Sequence, residues 1–412
     1  MDKQNFFKRT GALRITTTII IIITMIFLEG CWSRKEIEDL AIVSAAGFDK
    51  IEVMGQEKYR LSFLVVRPRQ LGGGQQGGGA VEYNPDWLIS EIGDSWFDAG
   101  RNVSQRSPRV IVMYHNEVTF IGQETAKKGI NDIVDYMQRH KDVRLRSMVI
   151  VAKQSAQSIM QTLPEVEQIL SNEVTELLSK GNNRVSKSYA VDLKEFSETL
   201  ITPGQDAVAP AIKAIIPVES AGGQRGAKET QQTVILDGLA VFKQDRLAGY
   251  LTPSETKGFL FMMGKAQGGI VPVEFQGPEK GRVSLSMSRS SSEYKPTIRN
   301  GRLIMEINIK TEADVVEVDG GVPVGDPAVI KELSRAYSES VRILAQASLD
   351  KARKELKADI FGMGIHVHKK YPKYWHEIEQ VWYDIYAELP VTIKVDGQVR
   401  RTTMISDPLT IQ

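Results

Sequence analysis

The sequence predicts a multi-domain α+β protein, with about three mixed domains. Three observations carry that expectation. Runs that alternate apolar and polar residues are interspersed with runs that repeat an apolar residue every three or four positions, so neither strands nor helices dominate. At 412 residues the chain is longer than a single hydrophobic core ordinarily serves. Its composition, 42% hydrophobic and 25% charged, is that of an ordinary globular protein.

The first element is not part of a domain. Lys3, Lys8, Arg9 and Arg14 precede ITTTIIIIITMIFL (15–28), fourteen residues without a charge, and then come Glu29, Gly30 and Cys31. As a helix that run spans about 21 Å, short of a hydrocarbon core of roughly 30 Å. It fits the length of a secretory h-region, so residues 1–30 are expected to be a signal peptide, with an uncleaved anchor as the alternative. Cys31 is the single cysteine, which excludes an internal disulfide and a cysteine-based metal site. The segment resembles a bacterial lipoprotein signal: Leu28 and Gly30 match the third and first positions before the cysteine, while Glu29 departs from the usual small or aliphatic residue. That resemblance implies lipidation at Cys31 by at least two acyl chains, and two chains give durable membrane attachment where one is marginal. No later run reaches eighteen continuous apolar residues, so the body is not expected to span the membrane. Of 52 basic and 51 acidic residues, residues 1–30 hold four and two, leaving 48 against 49. That balance argues against a nucleic-acid partner, which usually demands a basic face.

The N-terminal α/β domain is expected over 31–200. AIVSAAGFDK (41–50) and KYRLSFLVVRP (58–68) read as a hairpin around Gly55, with Leu61, Phe63 and Val65 on one face. LGGGQQGGGA (71–80), with six glycines, reads as a flexible loop. DWLISEI (86–92) leads to a helix at about 94–105, and RVIVMYHNEVTFIG (109–122) reads as a strand or strand pair. The spacing predicts a helix over 123–139 with Ile130, Ile133, Val134 and Met137 on one face. A buried strand, RLRSMVIVAK (144–153), then precedes helices near 165–180 and 192–200. The middle domain, 201–270, is expected to be mainly β, with strands at 207–218, 233–243 and 246–251 and a hairpin loop at 220–232. Pro253 opens a helix over PSETKGFLFMMGK (253–265). The C-terminal α+β domain, 271–412, begins with a hairpin over 281–318 turning at Asn300–Gly301. The longest helix follows at 326–360, capped by Asp326 with Pro327 at its first position. Ile330, Leu333, Tyr337, Val341, Leu344, Ser348, Ala352 and Leu356 form its apolar stripe, read as core packing, and Gly362 and Gly364 are expected to stop it. KARKELK (351–357) is expected to be a solvated face. A helix near 373–387 and a strand at 390–401 close the chain.

Three segments carry a more specific resemblance. CWSRKEIEDLAIVSAAGFD (31–49), PSETKGFLFMMGK (253–265) and DIFGMGIHVHKKYPKYWHEIEQVW (359–382), followed by LPVTIKV, are similar in the same order to the Ger(x)C family, the C subunits of spore germinant receptors. The resemblance implies a three-domain α+β architecture and no established enzymatic activity. It implies a lipoprotein on the outer face of the cell membrane or inner spore membrane, partnered by two integral membrane subunits, A and B. Such complexes sense nutrients and trigger release of ions and dipicolinate. Of the family's functional positions, only the lipidated cysteine carries over, onto Cys31.

The residues offer little conventional chemistry. Gly93-Asp94-Ser95 stands where a nucleophile turn would, yet the Asp-x-x-His that usually accompanies such a serine is absent from the sequence, so Asp94 and Ser95 are expected at a helix N-terminus. Gly264-Lys265 ends a helix, whereas a phosphate loop opens one. His366, His368, His376 and Glu377 form the one histidine cluster; His-x-His on a strand beside a carboxylate suits a metal. The preferred expectation is a basic aromatic interaction surface, HVHKKYPKYW, with Tyr374 and Trp375 as anchors. No catalytic, cofactor-binding or metal-ligating residue is therefore assigned. Two other functions compete: a substrate-binding lipoprotein of a transporter, which needs two similar lobes and hinge crossings, and a surface hydrolase, which needs an oriented base.

Overall fold

The structure, a computed structural model, describes residues 17–19, 36–67, 86–216, 232–276 and 280–400. Cys31, the glycine-rich run 71–80 and nearly all of the expected loop at 220–232 lie outside the described residues, as does the expected signal peptide, residues 1–30, apart from helical residues 17–19.

The first sheet contains β1 (Leu40–Val53), β2 (Gln56–Val66), β3 (Asp86–Gly93), β4 (Val110–Val112), β5 (Val118–Gly122), β6 (Met148–Ala152), β7 (Val208–Ile215), β8 (Thr233–Lys243) and β9 (Arg246–Leu251). Its order is β3-β2-β1-β5-β6-β7-β8-β9, with β4 pairing β1. The central pairings β1–β5, β5–β6 and β6–β7 are parallel, and antiparallel pairs flank them on both sides. Strands β7, β8 and β9, expected in a separate middle domain, extend this sheet, which therefore runs on across residue 200. Among the described residues these helices accompany it: α1 (Trp96–Arg106), α2 (Gln123–Lys128), α3 (Asn131–Arg139), α4 (Ala156–Met160), α5 (Leu170–Val185) and α6 (Leu193–Ile201).

Alternation along the central strands feeds two cores. On β6, Val149 and Val151 face the core of Trp96, Val103, Ile133 and Met137, while Ile150 and Ala152 face Ile159, Leu170, Val174 and Leu178. A strand buried on both faces reads as an unbroken apolar run, and MVIVA does. Helix N-termini that end against the sheet need acceptors for their free N–H groups. Asp49 on β1 accepts from Ala156 N and Gln157 N at 2.8 and 2.9 Å, and Asp86 at the start of β3 accepts from Leu170 N at 2.9 Å. Burial raises both carboxyl groups, Asp86 to about 6. The helix expected over 123–139 is two helices, because Gly129 adopts φ +118° between them and a Cβ there would lie 2.7 Å from Asp245 Oδ2.

Next comes α7 (Pro253–Met262), closed at its start by a capping box between Thr252 and Glu255. The second sheet has the order β10 (Ile270–Phe275), β11 (Gly281–Arg299), β12 (Arg302–Gly320), β13 (Val391–Arg400), antiparallel except for β12–β13. Asn300 and Gly301 make the β11–β12 turn with φ of +50° and +74°, the positive pair a type I′ hairpin requires. One face of this sheet packs Leu285, Met305, Ile307 and Ile309 against Leu333, Tyr337, Val341 and Ala345 of α8 (Pro327–Asp350). Asp326 caps α8 by accepting from Ala328 N at 2.8 Å. The helix ends earlier than expected: after Asp350 the chain widens into a π-type turn over Lys351–Leu356, and Lys357 at φ +52° stops it, ahead of Gly362 and Gly364. Arg353 is not simply solvated, since its guanidinium donates to the carbonyls of Tyr386 and Ala387. Helix α7 crosses α8 at Gly258, where a Cβ would sit 2.0 Å from the Leu344 carbonyl oxygen. The expected helix near 373–387 is divided into α10 (Pro372–Ile378) and α11 (Trp382–Glu388), preceded by α9 (Met363–Lys370). Among the described residues no helix is long and apolar enough to cross a membrane.

Candidate functional site

Polar contacts converge where the loop after α6 meets the segment between the π-type turn and α9. Asp206 and Asp359, 153 positions apart, are 3% and 1% exposed. Asp206 N donates to the Asp359 carbonyl at 2.8 Å, and Asp359 N donates to Asp206 Oδ2 at 2.7 Å. The other Asp206 oxygen accepts from the Tyr383 hydroxyl at 2.8 Å and from Gln244 N at 3.2 Å. The Asp359 carboxyl group caps α9, accepting from Met363 N and Gly364 N at 3.1 and 2.9 Å, and from Trp382 Nε1 at 3.1 Å.

Burial raises the Asp359 pKa; the Gly364 and Met363 N–H groups oppose the rise, and the nearby Asp206 charge adds to it. The group comes to rest at about 7. Burial also raises Asp206, against donors led by Tyr383, and burial with the Asp206 charge raises the Tyr383 phenol. The two glycines at this seam are there for space. A Cβ on Gly364 would lie 2.5 Å from Gly204 Cα and 2.7 Å from the Trp375 ring. Trp375 covers that contact and meets Trp382 edge-on at 5.3 Å. A cleft of 350 Å³ opens over Asp206, Trp382 and Tyr383, and Lys243 Nζ stands 4.6 Å from the Tyr383 ring. Both carboxyl groups are engaged in joining segments, so the arrangement is suited to holding the seam and to responding to a proton near neutral pH.

The residues singled out in the sequence fall elsewhere or serve differently. Ser95 caps α1, accepting from Asp98 N at 3.1 Å, and Asp94 pairs with Lys58. His366 and His368 lie on α9, not on a strand, two positions apart and so pointing in different directions. His366 stacks on Tyr294 at 4.5 Å, and burial lowers its pKa; His368 stacks on Trp375 at 5.8 Å. His376 and Glu377 are exposed on α10. Among the described residues no group of three or more possible ligands is placed to hold a metal. Trp375, expected to anchor a partner, is 2% exposed and packs inside the seam, and Tyr374 leans partly on the same core. Asp206 and Asp359 were not expected. Read along the chain neither carries a local signal: Asp359 lies three residues before Gly362, the N-cap residue of α9, and so outside the position where a carboxylate is favoured.

Comparisons with known proteins agree from end to end. Residues 33–214 match the family described as "Spore germination protein N-terminal domain", and residues 237–403 match "Spore germination B3/ GerAC like, C-terminal". The chain is 27% identical over 397 residues to spore germination protein KC of Bacillus subtilis (strain 168), covering 95% of this chain and 96% of that protein. It is 22% identical over 385 residues to spore germination protein A3 of the same organism, covering 92% and 95%. The fold is similar to the crystal structure of the GerBC protein, with TM-score 0.54 and 18% identity over 87% of this chain and 98% of that one. With both halves matched in order, and the two-sheet α+β fold alongside, this chain belongs to the Ger(x)C family of spore germination proteins.

Proposed function

We propose that the chain is the lipid-anchored C subunit of a spore germinant receptor. It is exported behind residues 1–30 and held through Cys31 on the outer face of the cell membrane or inner spore membrane. There it works beside integral membrane A and B subunits in nutrient-triggered germination, as a scaffold or relay and not as an enzyme. The observation that carries this reading is the end-to-end likeness to spore germination proteins, in which both halves match in order. The single cysteine after a short apolar run supports the tether, and confinement to the membrane plane raises the effective concentration near partners there. The seam supports a mechanical role: Asp206 and Asp359 tie distant segments of the body, so that a displacement of one is felt by the other.

The test is Cys31→Ala in the sporulating strain, followed by fatty-acid labelling, membrane fractionation and germination against several nutrients. The expected result is loss of label, loss of membrane retention, and a failed response to one set of nutrients while the others still act. Normal labelling of the variant would overturn the tether. A strain lacking the gene that germinates fully on every nutrient would overturn the receptor role.

A further inference from the structure

A second depression, of 630 Å³, opens between the first turn of α7, the start of β10 and the middle of α8. Its wall is aliphatic: Ile270, Pro272, Ile343 and Leu344 line it, and Ile343 and Ile270 remain 55% and 42% exposed. No aromatic ring is part of the lining among the described residues. The charged side chains on it are Lys187 and Lys257, and no carboxylate lines it among the described residues. Lys257 Nζ donates to the Ile270 carbonyl at 2.8 Å, which engages one of the three donors an ammonium carries. Burial and then the neighbouring Lys187 charge disfavour its charged form, and among the described residues no acidic group offsets them. Glu255, the nearest acid on α7, is turned back onto Thr252 N at 2.7 Å. The first turn of α7 adds the positive end of its dipole to the same wall.

Two like charges beside an open aliphatic wall leave an imbalance that an incoming anion would relieve. The volume lies in the range of small-molecule sites, and the absence of a ring to stack on favours a flexible hydrocarbon over a planar ligand. We propose that this depression binds a medium-chain aliphatic anion, its carboxylate or phosphate group between Lys187 and Lys257 and its hydrocarbon body along Ile270, Ile343 and Leu344. The proposal rests on the pocket alone and stands apart from the receptor reading.

The experiment is calorimetric titration of the full chain, held in nanodiscs of zwitterionic lipid, with empty discs as the blank. The probes are butanoate, hexanoate, hexyl phosphate, hexanol and hexyltrimethylammonium. Hexanoate and hexyl phosphate should bind at least tenfold more tightly than hexanol or the cation. Lengthening butanoate to hexanoate should tighten binding about tenfold, as two further methylenes leave water. Lys187→Gln and Lys257→Gln should each weaken hexanoate at least fivefold, and Ile343→Asp should abolish it. Lys187 and Ile343 are exposed, so those two variants keep the question open to test if Lys257→Gln perturbs folding. No anion binding, equal binding of hexanol, or hexanoate binding unchanged in both the Lys187 and Ile343 variants would overturn the proposal.

Discussion

The two sheets solve the same problem with opposite economy of cover. The first is sandwiched: its central strands bury side chains on both faces, α1 and α3 on one side, α4 and α5 on the other. Helices that end on such a sheet lose solvent at their N-termini, and the sheet answers with Asp49 and Asp86, buried carboxyl groups aimed at those ends. The second sheet is covered on one face, by α7 and α8, and its other face carries charges, such as Lys394 paired with Glu306 at 2.6 Å. Covering both faces brings buried carboxyl groups with raised pKa values into the interior; covering one keeps the charges in water. The seam at Asp206 and Asp359 follows the rule of the first sheet, since it too closes helix ends away from solvent.

The comparison can be broken most forcefully in the first sheet. Phe120 on β5 is fully buried in the core under α4 and α5, and Phe120→Ala should cost about 3–5 kcal/mol of unfolding free energy. Denaturant titration with circular dichroism measures it; a cost under about 1 kcal/mol would mean that this core is not close-packed.

The seam gives the next largest effect, and its sign follows from linkage. A carboxyl group raised to about 7 in the folded protein holds its proton more tightly than in the unfolded chain. Its contribution is therefore present at low pH and is lost as pH rises from about 4 through 7, by up to ~1.4 kcal/mol per pH unit. Asp86, raised to about 6, adds a fall of the same sign that ends about one unit earlier. Melting temperature should thus drop between about pH 4 and 7, and Asp359→Asn should flatten the upper part of that drop. An unchanged slope in the variant would show that Asp359 does not titrate there.

The smallest effect belongs to the uncovered face. Lys394→Ala should change stability by no more than ~0.5 kcal/mol, because an exposed ion pair gains little over solvation. A loss above about 1.5 kcal/mol would place that face against something other than water.

Local signals in the sequence proved sufficient wherever structure depends on neighbours in the chain. Asn300–Gly301 specified its hairpin turn because few residues tolerate two positive φ angles, and Asp326–Pro327 specified the start of α8 because the cap and the fixed φ act within one turn. Most strands and the apolar stripe of α8 were legible for the same reason, as burial of one face imposes a period of two or of 3.6 on adjacent residues, whereas β10 was not anticipated. Family membership was also legible, in three long segments spread over the chain.

What lay beyond reach depended on partners distant in sequence. Trp375 has the composition of an interface anchor in its basic aromatic setting, but only the approach of Gly204 to Gly364 makes the pocket that buries it. The break at Gly129 depends on Asp245, and the continuation of the first sheet past residue 200 depends on β7 finding β6. Asp206 and Asp359 look like ordinary surface acids when read along the chain. The fold alone brings them together in a buried seam, where desolvation raises both carboxyl groups against the hydrogen bonds they accept.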